Sequence, residues 1–360
     1  MAKQKMKPKP TQDNDPPVTH GADDLPTVNV ASYNLELRNK DGFIGDRANK
    51  SAFRDIIQGW RKRVREGGAD PLGAVLTDEL SKKEIDKLLE EQGTEAATLV
   101  RAAIDDFAQE LATILMRYLK EETWQETRRI VVGGGFSDSK AGALAIARAG
   151  LQLKAEGLKV ELVAISHHPN EAGLVGAVHL IPGWMLKGHD AILAVDIGGT
   201  NIRAGVVKLN LDDKPDFSRA KVWNSRLWRH ADDEPRRTAT IEHLVRMIES
   251  LIAKAEKAKL ALAPVIGIGC PGIIAADGSI ARGGQNLPGG NWESTHFNLP
   301  EALRKAIPRI MDQPTFVIMH NDAVVQGLSE APRMADVAGW AAVTIGTGLG
   351  NASYINKPSG

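Results

Sequence analysis

The chain has 360 residues, which is enough for two domains, and its apolar fraction of 42% and charged fraction of 25% are ordinary for a globular protein. Its 45 basic and 45 acidic residues balance, so no overall field favours nucleic acid or an anionic membrane as a partner. The single cysteine, Cys270, excludes an intramolecular disulfide and a multi-cysteine zinc site within one chain.

The N-terminal region is rich in Lys, Pro, Asp and Gln, which predicts a disordered tail over residues 1–26. It has no apolar core of the kind that signal peptides carry. No apolar run along the chain approaches the roughly 18–20 residues that cross a bilayer. We therefore expect a cytoplasmic protein without a membrane partner.

Strands and helices are predicted to alternate from residue 27 onward. A strand and turn over 27–42 lead into amphipathic helices, the first over 51–65 behind a Ser51 cap, and a strand, a triple-glycine turn and a helix follow from Arg128. After the connector "GWMLKGH", the stretch "DAILAVDIGGTNIRAGVVKLN" predicts a hairpin of two apolar strands. Alternating elements continue to "WAAVTIG", so the predicted fold class is α/β.

Three glycine-rich turns each follow an apolar strand: "DIGGTN" at 196–201, "IGTGLGN" at 345–351 and "VVGGGFSDS" at 131–139. Glycine permits positive φ and lets phosphate oxygens approach backbone amides. A plain hairpin turn explains any one of them equally well, but three together favour phosphate binding. None fits the dinucleotide fingerprint or the P-loop pattern.

Polar side chains mark two further segments. In "HNDAVVQGLSE" a buried strand ends at Asn321 and Asp322, directly before a helix. A carboxylate there can take a proton from a substrate hydroxyl, although Asn-Asp can equally cap the helix. The loop "QNLPGGNWES" supplies the amides of Asn286 and Asn291, a composition that suits hydroxyl-rich ligands and also ordinary turns.

These elements together resemble the ROK family of sugar kinases, within the larger group of sugar kinases, actins and Hsp70-type ATPases. The resemblance rests on "DIGGTNIRAGVV" and "IGTGLGN" as the two phosphate motifs, "NDAVVQGLSE" as the catalytic segment and "IGIGCPGIIAADGSI…NLPGGNW" as the sugar-side signature. "IVVGGGFSDS" resembles the adenosine motif and "EAGLVGAVHL" the closing helix. The resemblance implies an actin-like fold in which two lobes, each built on an RNase H-like sheet, flank a cleft.

The order of the motifs departs from the family, in which the adenosine motif and closing helix follow the second phosphate motif. Here they precede the first phosphate motif, which suggests a circular permutation with "GWMLKGH" joining the ancestral ends. The expected organisation is the tail over 1–26, lobe B over 27–183, lobe A over 184–339, and a segment over 340–360 that carries the second phosphate motif and completes lobe B.

The resemblance implies a role for each matching residue. Asp322 would be the catalytic base, and Asp196 would hold Mg²⁺ through water. The sugar would be bound by Asn286, Asn321 and Asp322, and ATP by Gly198, Gly199, Thr200, Asn201, Thr347, Gly348, Gly350, Gly134 and Gly135. The implied cofactors are ATP and Mg²⁺, without zinc. The implied reaction is phosphorylation of a hexose, and conversion of glucose to glucose 6-phosphate is the first choice. A homodimer is the usual assembly of such kinases.

Two departures from the family keep other functions open. The cysteine-rich zinc loop is absent, and the Glu-x-x-His sugar contact is missing where the order of motifs predicts it. One alternative is a sugar- or nucleotide-binding regulator, although the first residues are predicted to form a polar tail and a strand, the helical segment 51–92 does not resemble a recognition helix, and the net charge of the chain is zero. Another is an inactive relative that uses the cleft only to bind. We expect no nucleic-acid partner.

Overall fold

A computed structural model describes residues 19–40, 42–91, 93–214 and 216–358. Within these ranges, ten longer strands form two five-stranded sheets: β1 Val28–Tyr33, β2 Thr127–Gly133, β3 Glu161–Ala164, β4 Ala191–Ile197, β5 Ile202–Lys208, β6 Lys221–Trp228, β7 Leu262–Cys270, β8 Phe316–Asn321, β9 Gly339–Ile345 and β10 Leu349–Asn356. Short two- and three-residue ladders pair Arg38–Asn39 with Gly42–Phe43, Ile273–Ile274 with Ile280–Arg282, and Arg309–Ile310 with Gln313–Pro314.

Helices connect or cover these strands: α1 Lys50–Gly67, α2 Lys82–Glu90, α3 Glu95–Tyr118, α4 Lys140–Ala155, α5 Ala172–Gly176, α6 Gly183–Leu186, α7 Arg237–Lys257, α8 Leu299–Ala306 and α9 Asp322–Leu328. The cap of α1 corrects the prediction, since Asn49 rather than Ser51 accepts the Ala52 amide, at 2.9 Å. The Ser51 hydroxyl instead donates to the Asn49 side chain at 2.7 Å. The α/β fold class is confirmed.

The two sheets share one topology. Sheet A has the order β8-β7-β4-β5-β6, and sheet B has the order β1-β10-β9-β2-β3. In each sheet the central strand pairs on one side with an antiparallel strand, which pairs with a second antiparallel strand at the edge. On its other side the central strand pairs with a parallel strand, which pairs with a second parallel strand at the opposite edge. The central strands β4 and β9 are buried along their whole length, which explains why both read as continuous apolar runs.

Sheet B contains strands from both ends of the described chain. β1 pairs antiparallel with β10, with Val28 opposite Asn356, and the Lys357 amide donates to Thr27 O at 3.3 Å. The paired side chains also bond, since Ser32 Oγ lies 2.9 Å from Ser353 Oγ. The end of β10 and the start of β1 are therefore adjacent in space although they are far apart in sequence.

A shared core lies between the two sheets. Residues of α5 and α9 pack there against apolar residues of both sheets, among them Ile192 of β4 and Trp340 of β9. Gly176 of α5 lies against the Val325 carbonyl of α9 so closely that a β-carbon at position 176 would overlap it. Because α9 is held from both sides, the position of Asp322 at its first turn is fixed by the whole core.

The N-terminal segment departs from the predicted tail. Residues 1–18 lie outside the described residues, but 19–26 pack against β8, an edge strand of sheet A. His20 Nδ1 accepts the Met319 amide at 3.1 Å, Gly21 N donates to Met319 O at 2.9 Å, and Leu25 is buried. The predicted tail is thus too long at its C-terminal end, because this segment covers backbone groups that an edge strand leaves unpaired.

Candidate active site

A cleft of about 820 Å³ lies between the two sheets. It is lined by eleven of the residues singled out in the sequence: Gly134, Gly135, Gly198, Gly199, Thr200, Asn201, Asn286, Asp322, Thr347, Gly348 and Gly350. Most follow the carboxyl ends of parallel strands or fill a hairpin turn of the central strand. Because these positions meet at one edge of each sheet, residues nearly 220 positions apart share one cavity. Asn321 and Asp196 are not brought to its surface.

The first glycine-rich turn connects β4 to β5. Within it, Gly198 N donates to Asn201 O at 2.9 Å. The segment after β6 anchors it, because buried His230 bonds through Nε2 to Gly198 O at 2.8 Å and the Ala231 amide donates to Thr200 O at 3.2 Å. The loop is therefore fixed at two of its carbonyl groups.

The second turn connects β9 to β10 in sheet B, in the corresponding place. Gly346 N donates to Gly348 O at 3.0 Å, and Gly346 O accepts the Lys50 amide at 3.0 Å, which ties the turn to the start of α1. The two turns meet across the cleft, with Thr200 Oγ1 and Thr347 Oγ1 3.4 Å apart. Hydroxyls and amides from both sheets therefore converge on one point.

The third turn follows β2 and forms another wall of the cleft. Gly134 has φ +87° and packs against the Ile345 backbone, so a side chain here would strain the backbone and clash. The Lys82 ammonium donates to Gly135 O at 3.0 Å. This wall continues with residues of α2 and with Phe136 and Asp138.

Asp322 is the carboxylate on the floor of the cleft, at the first residue of α9. Burial and the negative charge of Asp196 raise its pKa to about 7. Hydrogen bonds from backbone amides at the start of the helix lower the pKa, but they are smaller effects. A carboxylate of this pKa is ionised in part at neutral pH and binds a proton readily, which is what a general base requires.

Asn321 has a different environment. It is buried, its Oδ1 accepts the Ala323 and Val324 amides at 3.0 and 3.3 Å, and its Nδ2 donates to Gly272 O at 2.9 Å. These bonds cap α9 and fix the loop after β7. The capping interpretation of Asn321 therefore describes its side chain, whereas Asp322 faces the cleft.

Asp196 lies beneath the cleft surface. Its carboxylate accepts from Arg203 Nη1 at 3.0 Å, and a β-carbon added to Gly173 would come within 2.7 Å of its Oδ1. Burial raises its pKa while the Arg203 guanidinium opposes the rise. Across the described ranges, no group of three His, Cys, Asp or Glu side chains could hold a metal ion.

Sequence reasoning missed the basic side chains of the cleft. Its lining also includes Lys50, Arg54, Lys82, Arg203 and Arg229. Lys50 and Arg54 stand one helical turn apart on α1, a spacing that the sequence shows but that reads there as an ordinary solvated helix face. Only the fold brings them opposite the glycine-rich turns.

Comparison with known proteins gives the family of the C-terminal part. Residues 192–358 match the model of the ROK family. This segment belongs to the ROK family. The ROK match begins within β4 and runs through both phosphate turns, so it covers Asp322 and the two turns that meet across the cleft. The family predicted from the motifs is confirmed. A comparison with curated proteins found no match.

Several solved structures resemble the chain. A candidate sugar kinase from Cytophaga hutchinsonii is 20% identical, with a TM-score of 0.35 over 47% of this chain and 50% of its own. A candidate N-acetylmannosamine kinase from Listeria monocytogenes is 22% identical, with a TM-score of 0.33 over 46% and 47%. An exopolyphosphatase-like protein is 12% identical, with a TM-score of 0.29 over 70% and 90%. The aligned region spans about half of each of the first two structures. In the described part of the chain, no helix has the length and apolar character needed to span a membrane.

Proposed function

We propose that the protein is an ATP-dependent sugar kinase that transfers the γ-phosphoryl group of MgATP to a hydroxyl of a hexose, with the 6-hydroxyl of glucose as the first candidate. The observation that carries this proposal is the arrangement of the cleft. Two glycine- and threonine-rich turns meet there, one from each sheet, over a carboxylate whose pKa is about 7. The ROK family membership of residues 192–358 supports the same reaction class.

In the proposed mechanism the backbone amides and hydroxyls of the two turns bind the β- and γ-phosphates. Gly198, Gly199, Thr200 and Asn201 act from sheet A, and Thr347, Gly348 and Gly350 act from sheet B. Gly134 and Gly135 lie against the adenosine. Such donors are fixed by the fold, so they stabilise the transferring phosphoryl group without reorganisation during the reaction.

Asp322 acts on the acceptor. Its carboxylate takes the proton of the substrate hydroxyl as the hydroxyl oxygen bonds to the γ-phosphorus, and the bond to the β–γ bridging oxygen breaks to release ADP. Asn286 lines the same cleft and is proposed to bind neighbouring hydroxyls of the sugar. Asn321 contributes indirectly, because it caps the helix that carries Asp322.

Magnesium arrives with the nucleotide as part of the substrate MgATP. Mg²⁺ commonly keeps several waters and binds through phosphates and one or two carboxylates. Asp196 is proposed to influence it only through water, since the carboxylate already bonds to Arg203.

The proposed kinase is circularly permuted relative to its family. Sheets A and B have the same strand arrangement when β1 is read as following β10, in the way that β6 follows β5. When the chain is read from Asp190 to its C-terminal end and then from residue 27, its motifs follow the family's order. The same reading makes the strands of sheet B follow one another in the order seen in sheet A. Two independent patterns therefore support one rearrangement.

The experiment is a coupled assay of ADP release with MgATP and a panel of hexoses. Asp322→Asn should lower kcat by at least a thousandfold and leave ATP affinity within about threefold, because only the base is lost. Asp55→Asn, on the exposed side of α1, is the matched control and should be unchanged. ATP or sugar binding without turnover in the unaltered protein would contradict the kinase proposal and favour a binding protein.

A further inference from the structure

We propose that Lys50, Arg54 and Arg229 form a cationic site that binds the phosphate chain of the donor, in addition to the glycine-rich turns. Neither the sequence motifs nor the ROK match assigns these side chains, and Lys50 and Arg54 lie outside the matched segment. The inference rests on the proposed function for the identity of the donor as a nucleotide. The polyanionic character of the ligand follows from the charges themselves.

Lys50 and Arg54 approach the cleft from sheet B. Lys50 is the first residue of α1, and its backbone amide donates to Gly346 O at 3.0 Å in the second phosphate turn. Arg54 follows at i+4 on the same helical face, and both side chains line the cleft. The helix therefore presents two cations beside the turn to which its own first residue is bonded.

Arg229 approaches from sheet A. It directly follows β6 and precedes His230 and Ala231, the residues that bond to Gly198 O and Thr200 O of the first turn. It also lines the cleft. Since the two turns come within 3.4 Å of each other at Thr200 and Thr347, cations carried by both sheets flank the point where the turns meet.

Two of the three cations, Lys50 and Arg54, have no partner among the described acids. Lys82 pairs with Asp138 at 3.7 Å and Arg229 with Asp232 at 2.8 Å, but Lys50 and Arg54 form no ion pair with a described residue. Five carboxylates also line the cleft. Asp138 pairs with Lys82, Glu36 pairs with Arg38, Asp86 accepts the Ala141 amide, and Asp46 and Asp322 form no ion pair with a described residue. Burial, together with the charges of Arg54, Arg229 and Lys82, lowers the pKa of Lys50.

Placing Lys50 beside Arg54 without a paired acid costs free energy, and an anion that contacts both side chains recovers it. A neutral sugar offers no such compensation. A chain of phosphates offers several charges in a row and reaches cations on both sides of the turns. The ligand class that fits is therefore a linear polyphosphate group, with the triphosphate of the donor as its proposed form.

The test measures binding of inorganic tripolyphosphate and of ATP to the full-length protein by calorimetry, with and without Mg²⁺. Lys50→Gln, Arg54→Gln and Arg229→Gln should each weaken tripolyphosphate binding about tenfold, equivalent to about 1.4 kcal/mol, and raise the KM for ATP. Lys62→Gln, an exposed residue of the same helix, should leave both unchanged. Thermal unfolding of each variant checks that the fold is intact.

The outcomes separate this inference from the kinase proposal. If folded variants at all three positions bind tripolyphosphate and ATP as the unaltered protein does, the cationic site is overturned even when sugar phosphorylation is observed. If no sugar is phosphorylated but tripolyphosphate binding depends on Lys50 and Arg54 and not on Lys62, the cationic site stands and the kinase proposal fails.

Discussion

At the scale of single residues, the end of β8 sends two neighbouring polar side chains to different places. Asn321 bonds to backbone groups through both the oxygen and the nitrogen of its side-chain amide, whereas Asp322 faces the cleft. The sequence predicted that this pair was either catalytic or capping, and it could not divide the roles. The inward orientation of the Asn321 side chain depends on the loop after β7, which supplies the Gly272 carbonyl from 49 positions away in the sequence.

The raised pKa of Asp322 predicts the pH dependence of turnover. The base must be ionised, so kcat/KM should fall about tenfold per pH unit below pH 7 and level off above it. Removing the nearby negative charge with Asp196→Asn should move this acidic limb to lower pH. The measurement is kcat/KM between pH 5 and 9, and an unshifted limb in a folded Asp196→Asn protein would show that another group controls it.

The same shift predicts a cost in stability. A carboxyl whose pKa is higher in the folded state than in the unfolded chain makes the folded state less stable as pH rises from about 4 to about 7. Asp322→Asn should therefore stabilise the protein, by at most about 4 kcal/mol at pH 8 and by much less at pH 4.5. Denaturant unfolding at the two pH values measures this difference, and an equal effect at both would contradict the raised pKa.

At the scale of elements, the long apolar strands were predictable because burial on both faces leaves a continuous apolar run, as in β4 and β9. The cap of α1 was misassigned because Asn49 and Ser51 are both good caps and only the backbone conformation at Asn49 selects between them. The contact between α5 and α9 was invisible for another reason. It joins elements about 150 residues apart through a glycine, which has no side chain to mark the contact.

This contact predicts that α9 positions Asp322. Gly176→Ala would place a methyl group on the Val325 carbonyl, so α9 or α5 must move. We expect about 2–3 kcal/mol of destabilisation, typical of overpacking, and a loss of kcat larger than the change in the KM for ATP. Gly183→Ala is the matched control, because no atom lies near the added carbon. Equal kcat in the two folded variants would show that α9 does not depend on this packing.

At the scale of the whole molecule, the two sheets have the same arrangement of strands, but the chain passes through their strands in a different order. The motifs suggested the permutation, and the resemblance that they carry implied two sheets of one type, but only the structure shows that sheet B repeats the strand order of sheet A. That repetition depends on the pairing of β1 with β10, and pairing between distant strands leaves no local trace in a sequence. Helix α3 then corresponds to α7, because each is the α-helix that precedes the first parallel strand of its sheet, β2 and β7.

The permutation proposal predicts that the chain can be reordered without loss of the fold. Because the Lys357 amide bonds to Thr27 O, a short Asn-Gly link from Pro358 to Thr27 should close a β-hairpin between β10 and β1. The new ends would lie between Lys187 and Gly188, which are exposed. This reordered protein should bind ATP within about threefold of a control that also lacks residues 1–26 but keeps the natural order, with a similar unfolding midpoint. Should the control fold while the reordered chain does not, the two sheets are not interchangeable in chain order and the permutation account is wrong.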